Sequence, residues 1–229
     1  MDFLNRRNSA AVVAEIMGTA VLTGTILAVS RSAIGVPYFV ALGVGLAMAM
    51  LVLLVGNASG AHVNPAVTVG LWSARKVSTV RALVYIAAQF LGALAAYSLY
   101  NYLVPTGLQN IAGPEFEWPV LVAELVGTFV FTFGVAAAVF NGYEGGQKAA
   151  TIGGSLAVGI IIAGIASNGI LNPAAALGVD SWSKAYVIGP LIGGVIGMNL
   201  FALLFAKEPG FLARTVAKTQ KTAKKVTKR

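Results

Sequence analysis

The stretch that decides the fold is Ala58-Ser59-Gly60-Ala61-His62-Val63-Asn64-Pro65-Ala66-Val67-Thr68-Val69-Gly70-Leu71-Trp72. It is apolar enough to lie in a membrane, yet too short and irregular to cross one. Asn is a preferred N-cap and Pro a preferred first helical residue, so Asn64-Pro65 reads as a helix start. About ten residues at 1.5 Å each make a helix of roughly 15 Å, half the hydrocarbon thickness. The segment therefore reads as a half-helix that enters the bilayer and stops midway.

Outward from it, six apolar runs are each long enough to span: roughly 10–30, 36–57, 82–104, 118–140, 150–167 and 185–206. The composition agrees. The 229 residues are 57% apolar and 10% charged, against about 45–50% and about 25% for soluble domains. Mean hydropathy is +0.80. The run at 10–30 is too long for a signal-peptide core and lacks a clear cleavage site, so it reads as span one. The expected fold class is an all-α membrane protein with six transmembrane helices and two re-entrant half-helices. Residues 1–206 read as one membrane domain and 207–229 as a basic tail.

The net charge of +8 is explained by topology. Fourteen of the 16 basic residues fall before span one, between spans two and three, between spans four and five, or after span six. Only Arg31 and Lys184 fall on the other side. Basic residues favour cytoplasmic loops, so both termini are expected in the cytoplasm and the protein in the cell membrane. The excess is not a nucleic-acid footprint, and no nucleic-acid partner is expected. The tail, with seven basic residues from Arg214 to Arg229, reads as a solvated terminus or as a contact to anionic lipid headgroups. The sequon Asn57-Ala58-Ser59 falls at the cytoplasmic end of span two and is expected to go unused.

The chain repeats itself. Ala14-Glu15-Ile16-Met17-Gly18-Thr19 and Ala123-Glu124-Leu125-Val126-Gly127-Thr128 are 109 residues apart, and Asn64-Pro65-Ala66 and Asn172-Pro173-Ala174 are 108 apart. The halves run over about 10–104 and 118–206. Each holds three spans, an odd number, so the second must enter from the opposite side: an inverted repeat, with a pathway at the interface of the halves. The two half-helices would then meet tip to tip at mid-membrane. Irregular backbone at that depth must be buried by protein or line a cavity, so the carbonyls of Gly60, Ala61, His62, Val63, Asn168, Gly169, Ile170 and Leu171 are candidates for an acceptor ladder along a channel. Helix N-termini carry about half a positive charge each, and the Asn64 and Asn172 amides add donors. A passing water would turn its oxygen to the centre, which breaks proton conduction and repels cations.

Glu15 and Glu124 are the charges expected inside spans. They read either as an ion or proton relay or as buried acceptors tying down a neighbouring loop, with the repeat favouring the second. Gly92, Gly189, Gly193 and Gly197 suit close helix packing. Zero Cys, one His and eight carboxylates leave no nucleophile–base pair and no metal set, so neither an enzyme nor a cofactor or metal is expected.

Ser59-Gly60-Ala61-His62-Val63-Asn64-Pro65-Ala66-Val67-Thr68, the second Asn-Pro-Ala, Ala88-Gln89-Phe90-Leu91-Gly92-Ala93 and Gly189-Pro190-Leu191 together resemble the aquaporin and aquaglyceroporin (major intrinsic protein) family over about 10–206. The resemblance implies a homotetramer of pores, in contact with membrane lipids, that passes water. It makes Asn64, Pro65, Ala66, Asn172, Pro173 and Ala174 the central constriction, with Glu15, Glu124 and Gln89 as buried structural groups. It gives His62 a packing and hydrogen-bonding role. Where the family usually has an Arg after the second Asn-Pro-Ala, this chain has Ala175. Val44, Ile160, Gly169 and Ala175 then form an outer filter with no aromatic, His or charge, expected to be wider and apolar and to admit small neutral solutes such as glycerol, urea or ammonia. The second half-helix is expected to be short, from Pro173 to about Val179. The residues leave two rivals: a secondary transporter coupled through Glu15 and Glu124, and a homologue with an occluded pore.

Overall fold

A computed structural model describes residues 5–31, 37–104, 106 and 116–206; the basic tail 207–229 lies outside them. Eight helices follow in order: α1 (Arg6–Arg31), α2 (Pro37–Ser59), α3 (Pro65–Ser73), α4 (Thr79–Leu103), α5 (Trp118–Phe140), α6 (Gly145–Ala163), α7 (Pro173–Gly178) and α8 (Lys184–Leu204). Six are long and apolar enough to cross a membrane. The short ones are α3, with nine residues, and α7, with six. At 1.5 Å per residue they reach about 13 Å and about 9 Å.

The ends of the spans differ from the apolar runs. α6 begins at Gly145, not 150, with Lys148 donating its backbone N–H to Glu144 O. Lys148 thus sits in the first turn of the span and not in the connection before it. α6 also stops at Ala163, not 167, which frees Ser167 to turn inward. Arg81 likewise belongs to the first turn of α4, where its N–H donates to the Ser78 N-cap hydroxyl. Helices propagate past their apolar stretch wherever a polar turn can sit at headgroup level, because each added residue gains a backbone hydrogen bond.

Packing follows the repeat. α1 packs on α2 and α4 as α5 packs on α6 and α8, while α2 and α6 meet each other. Each half-helix reaches across: α3 packs on α8, and α7 on α4. Glycine permits the tightest approaches. A Cβ on Gly92 would collide with the Ile16 carbonyl, and one on Gly193 with the equivalent Leu125 carbonyl. Backbones can approach this closely only where the side chain is missing, and in lipid such packing replaces the absent hydrophobic drive. Outward-facing Leu42, Leu46, Leu54 and Leu83 stay exposed, as lipid contact requires.

Candidate functional site

The first half-helix is set by its cap. Asn64 Oδ1 accepts from Ala66 N at 2.8 Å, and Pro65 opens the helix. In the second, Asn172 Oδ1 accepts from Ala174 N at 3.0 Å and Ala175 N at 3.2 Å. With both carbonyl oxygens turned to their own helices, the amide nitrogens must point away. Asn64 Nδ2 donates to Leu171 O at 2.8 Å, and Asn172 Nδ2 donates to Val63 O at 3.0 Å. The two tips are therefore stitched by a reciprocal pair of bonds between segments more than a hundred residues apart. One hydrogen of each amide is spent this way, which leaves a second for a solute. Val63 and Leu171 use their carbonyls in this stitch, a duty the sequence reading did not give them.

The loops before the tips are strained. Ala61, Val63 and Leu171 have φ of 51°, 43° and 55°, where a side chain, and a β-branched one above all, is disfavoured by about 1–3 kcal/mol. Buried carboxylates hold them. Glu15 on α1 accepts from His62 N at 3.0 Å and Val63 N at 2.7 Å. Glu124 on α5 accepts from Ile170 N at 3.0 Å and Leu171 N at 2.7 Å. Both are 0% exposed. Among the described residues every hydrogen-bond partner of either carboxylate is a donor, the pattern an acceptor-only carboxylate requires.

Around this shared frame the halves diverge. In the first, Gln89 Nε2 donates to Glu15 Oε2 at 2.7 Å and to Thr68 Oγ1 at 2.9 Å. Thr68 Oγ1 also lies 3.1 Å from both Asn64 O and His62 Nδ1. With the Thr68 hydroxyl donating to Asn64 O, His62 donates through Nδ1 and keeps Nε2 as an acceptor. The ring stacks edge-on to Tyr85 at 5.1 Å. In the second half, Ser167 Oγ donates to Glu124 Oε1 at 2.8 Å; Pro190, Ala176 and Ile170 stand where the first half has Gln89, Thr68 and His62.

Four hydroxyls escaped the sequence reading as brace members. Ser59 and Ser167 accept from Ala61 N and Gly169 N, each at 3.0 Å. Tyr85 donates to Ser59 O at 3.1 Å, and Tyr186 accepts from Asn168 N at 3.0 Å. Their spacing was a signal: the serines are 108 apart like the asparagines, and the tyrosines 101 apart like Gly92 and Gly193.

Among the four outer-filter candidates, a Cβ on Gly169 would meet Ile160 O at 2.9 Å, and Val44 shares an apolar cluster with Ile160. Ala175, also buried, packs in a second apolar cluster with Leu27, Ile170 and Tyr186. On the side of the Asn64 loop, Gly60, Ala61 and His62 open onto a cavity of about 180 Å³. Among the described residues no group of His, Cys, Asp and Glu can hold a metal.

Two three-span units, each with a re-entrant half-helix gripping the loop of the other, define an inverted-repeat integral membrane protein. The model of one such family, the major intrinsic proteins, matches residues 3–201. The chain belongs to the major intrinsic protein family. Human aquaporin-4 is 31% identical over 184 residues, covering 74% of this chain and 57% of that protein. Aquaporin AqpM of Methanothermobacter marburgensis is 32% identical over 198 residues, covering 74% of this chain and 78% of that one. The rat lens fiber major intrinsic protein is 35% identical over 179 residues, covering 72% and 68%. The chain spans a little over half the length of the aquaporin-4 relatives it matches. The solved aquaglyceroporin from Plasmodium falciparum superposes with a TM-score of 0.67 at 23% identity, covering 84% of this chain and 95% of that one; this likeness concerns the fold.

Proposed function

We propose that this protein is a passive membrane channel for water and small neutral solutes, with one path through each chain past Asn64 and Asn172. The observation that carries this reading is the reciprocal stitch, 2.8 and 3.0 Å, which leaves one free amide hydrogen from each half at the same point. Two donors and two helix starts of positive sign suit the oxygen of water and offer nothing to a cation.

In this reading Asn64, Pro65, Ala66, Asn172, Pro173 and Ala174 form the central constriction, and the carbonyls of Gly60, Ala61, His62 and Asn168 line the approaches. Val44, Ile160, Gly169 and Ala175 form an apolar outer narrowing with no aromatic ring, His or charge. Small neutral solutes such as glycerol, urea and ammonia pass it along with water. Residues 1–206 work as one channel domain. The end bearing Arg75, Lys76, Arg81 and Lys148 faces the cytoplasm with both termini, the membrane is the plasma membrane, and chains assemble as homotetramers. Coupled transport is disfavoured because Glu15 and Glu124 are sealed from solvent and committed to backbone donors, so neither is available to pick up an ion at one face and release it at the other.

Stopped-flow light scattering on proteoliposomes tests this. Shrinkage in sorbitol is expected to be fast with low activation energy. Glycerol and urea gradients should give a shrink-and-reswell trace, and flux should rise linearly with gradient. Saturating, pH-driven flux would favour the transporter, and no flux from folded protein the occluded homologue.

A further inference from the structure

The cavity next to His62 has two cations on its wall. Lys76 and Lys148 line the same space of about 180 Å³ as Gly60, Ala61, His62 and Ile152. Lys148 also borders the adjoining cavity of about 520 Å³, together with Asn57, Tyr143 and Glu144. We infer that Lys76 and Lys148 form a cationic barrier at the inner mouth of the path, and that cations are turned back there and not at the outer narrowing. The inference rests on the channel reading and locates its ion selectivity.

The Lys76 charge, though exposed, is anchored. Lys76 closes the C-terminus of α3: Arg75 takes a φ of 61°, and Lys76 N donates to Leu71 O at 2.8 Å, a Schellman-type stop that fixes the backbone. Its Nζ lies 4.3 Å from the centroid of the Phe140 ring, within the range of a cation–π contact. Lys148 is half-buried in the first turn of α6. Neither makes an ion pair among the described residues. The charges on surrounding elements reinforce them. Arg75 and Arg81 stand at the same end, on the α3–α4 connection and α4, and the one acid exposed there among the described residues is Glu144 at the α6 cap.

The outer end has no matching device. Ala175 is uncharged, and the outer end carries Glu117 and Asp180 against Arg31 and Lys184, with no pair of cations lining a cavity there among the described residues. At the centre, Glu15 and Glu124 sit beneath the same loops that the half-helix N-termini approach, with charge of the sign that offsets the helix dipoles. The barrier that the dipoles alone can raise is thereby reduced. For scale, two unit charges each about 8 Å from a passing ion lower its entry about fivefold even at the dielectric of water.

The test uses the full-length protein in proteoliposomes and planar bilayers, with K⁺ as the probe. K76Q/K148Q is expected to keep the osmotic water permeability of the unaltered protein while K⁺ conductance rises about fivefold in 10–20 mM salt. That difference should fade toward unity in 1 M salt, where the screening length falls to about 3 Å. K76R/K148R should behave like the unaltered protein, because it keeps both charges. Unchanged K⁺ conductance in the glutamine variant at low salt, with normal water flux, would overturn this inference alone. Equal gains in the glutamine and arginine variants would also overturn it, since charge would then be irrelevant. Absence of water flux from the unaltered protein would overturn the channel reading and this inference with it.

Discussion

The two halves of the molecule solve one problem with different parts. Each must hold a strained loop so that an asparagine presents its amide at mid-membrane, and each uses one buried carboxylate and one serine. The first half adds a polar web of Gln89, Thr68 and His62 around a nine-residue half-helix. The second has proline, alanine and isoleucine at those places and a half-helix of six residues. The frame is symmetric because both tips must meet. The surroundings are not: the carboxylate and the capping asparagine are what the geometry demands, whereas the web is an elaboration of one side.

Breaking the shared frame should cost most. Gly92→Leu or Gly193→Leu drives a side chain into a backbone carbonyl that cannot retreat, and no monodisperse protein is expected on size exclusion in detergent. Next come the braces. Glu124→Ala orphans two backbone N–H groups, at about 1–3 kcal/mol per buried donor, while the Ser167 hydroxyl keeps Ala163 O at 3.0 Å. Glu15→Ala orphans as many groups, but Gln89 Oε1 is a buried acceptor without a partner beside them and can take up one N–H. Thermal melts in detergent should therefore show Glu124→Ala falling further than Glu15→Ala, by an amount on the order of 1 kcal/mol. Equal losses would mean the web gives the first half no reserve.

The caps come third. Losing one costs about 0.5–2 kcal/mol. Asn172→Ala should be the more damaging of the pair, because Asn172 caps two N–H groups and Asn64 one, and α7 has fewer internal bonds to fall back on. The smallest effect belongs to the web: Thr68→Val leaves Gln89 with Glu15 and His62 with Tyr85, and should cost about 1 kcal/mol with water flux nearly intact.

How much of this can be read in the sequence follows from the range of the interactions. The half-helix starts at Asn64 and Asn172 are legible because capping is local chemistry within three residues. The six spans are legible from their apolar runs. Span ends are less so: Gly145-Gly146-Gln147-Lys148 contains no apolar residue to extend the pattern, yet α6 starts there. The link from Asn64 to Leu171 joins residues 107 apart, and periodicity carries no trace of it.

The central claim is that a continuous path runs beside the Asn64 half-helix, and the absence of cysteine allows a clean test. Val67 is buried on α3 and borders the inner cavity, so a Val67→Cys variant introduces the chain's single thiol there. Water permeability should be measured in proteoliposomes before and after a small mercurial, with the adduct verified by mass. Labelled Val67→Cys should lose most of its water flux while the unaltered protein, treated identically, keeps all of it. Fully labelled Val67→Cys with undiminished flux would contradict the central claim.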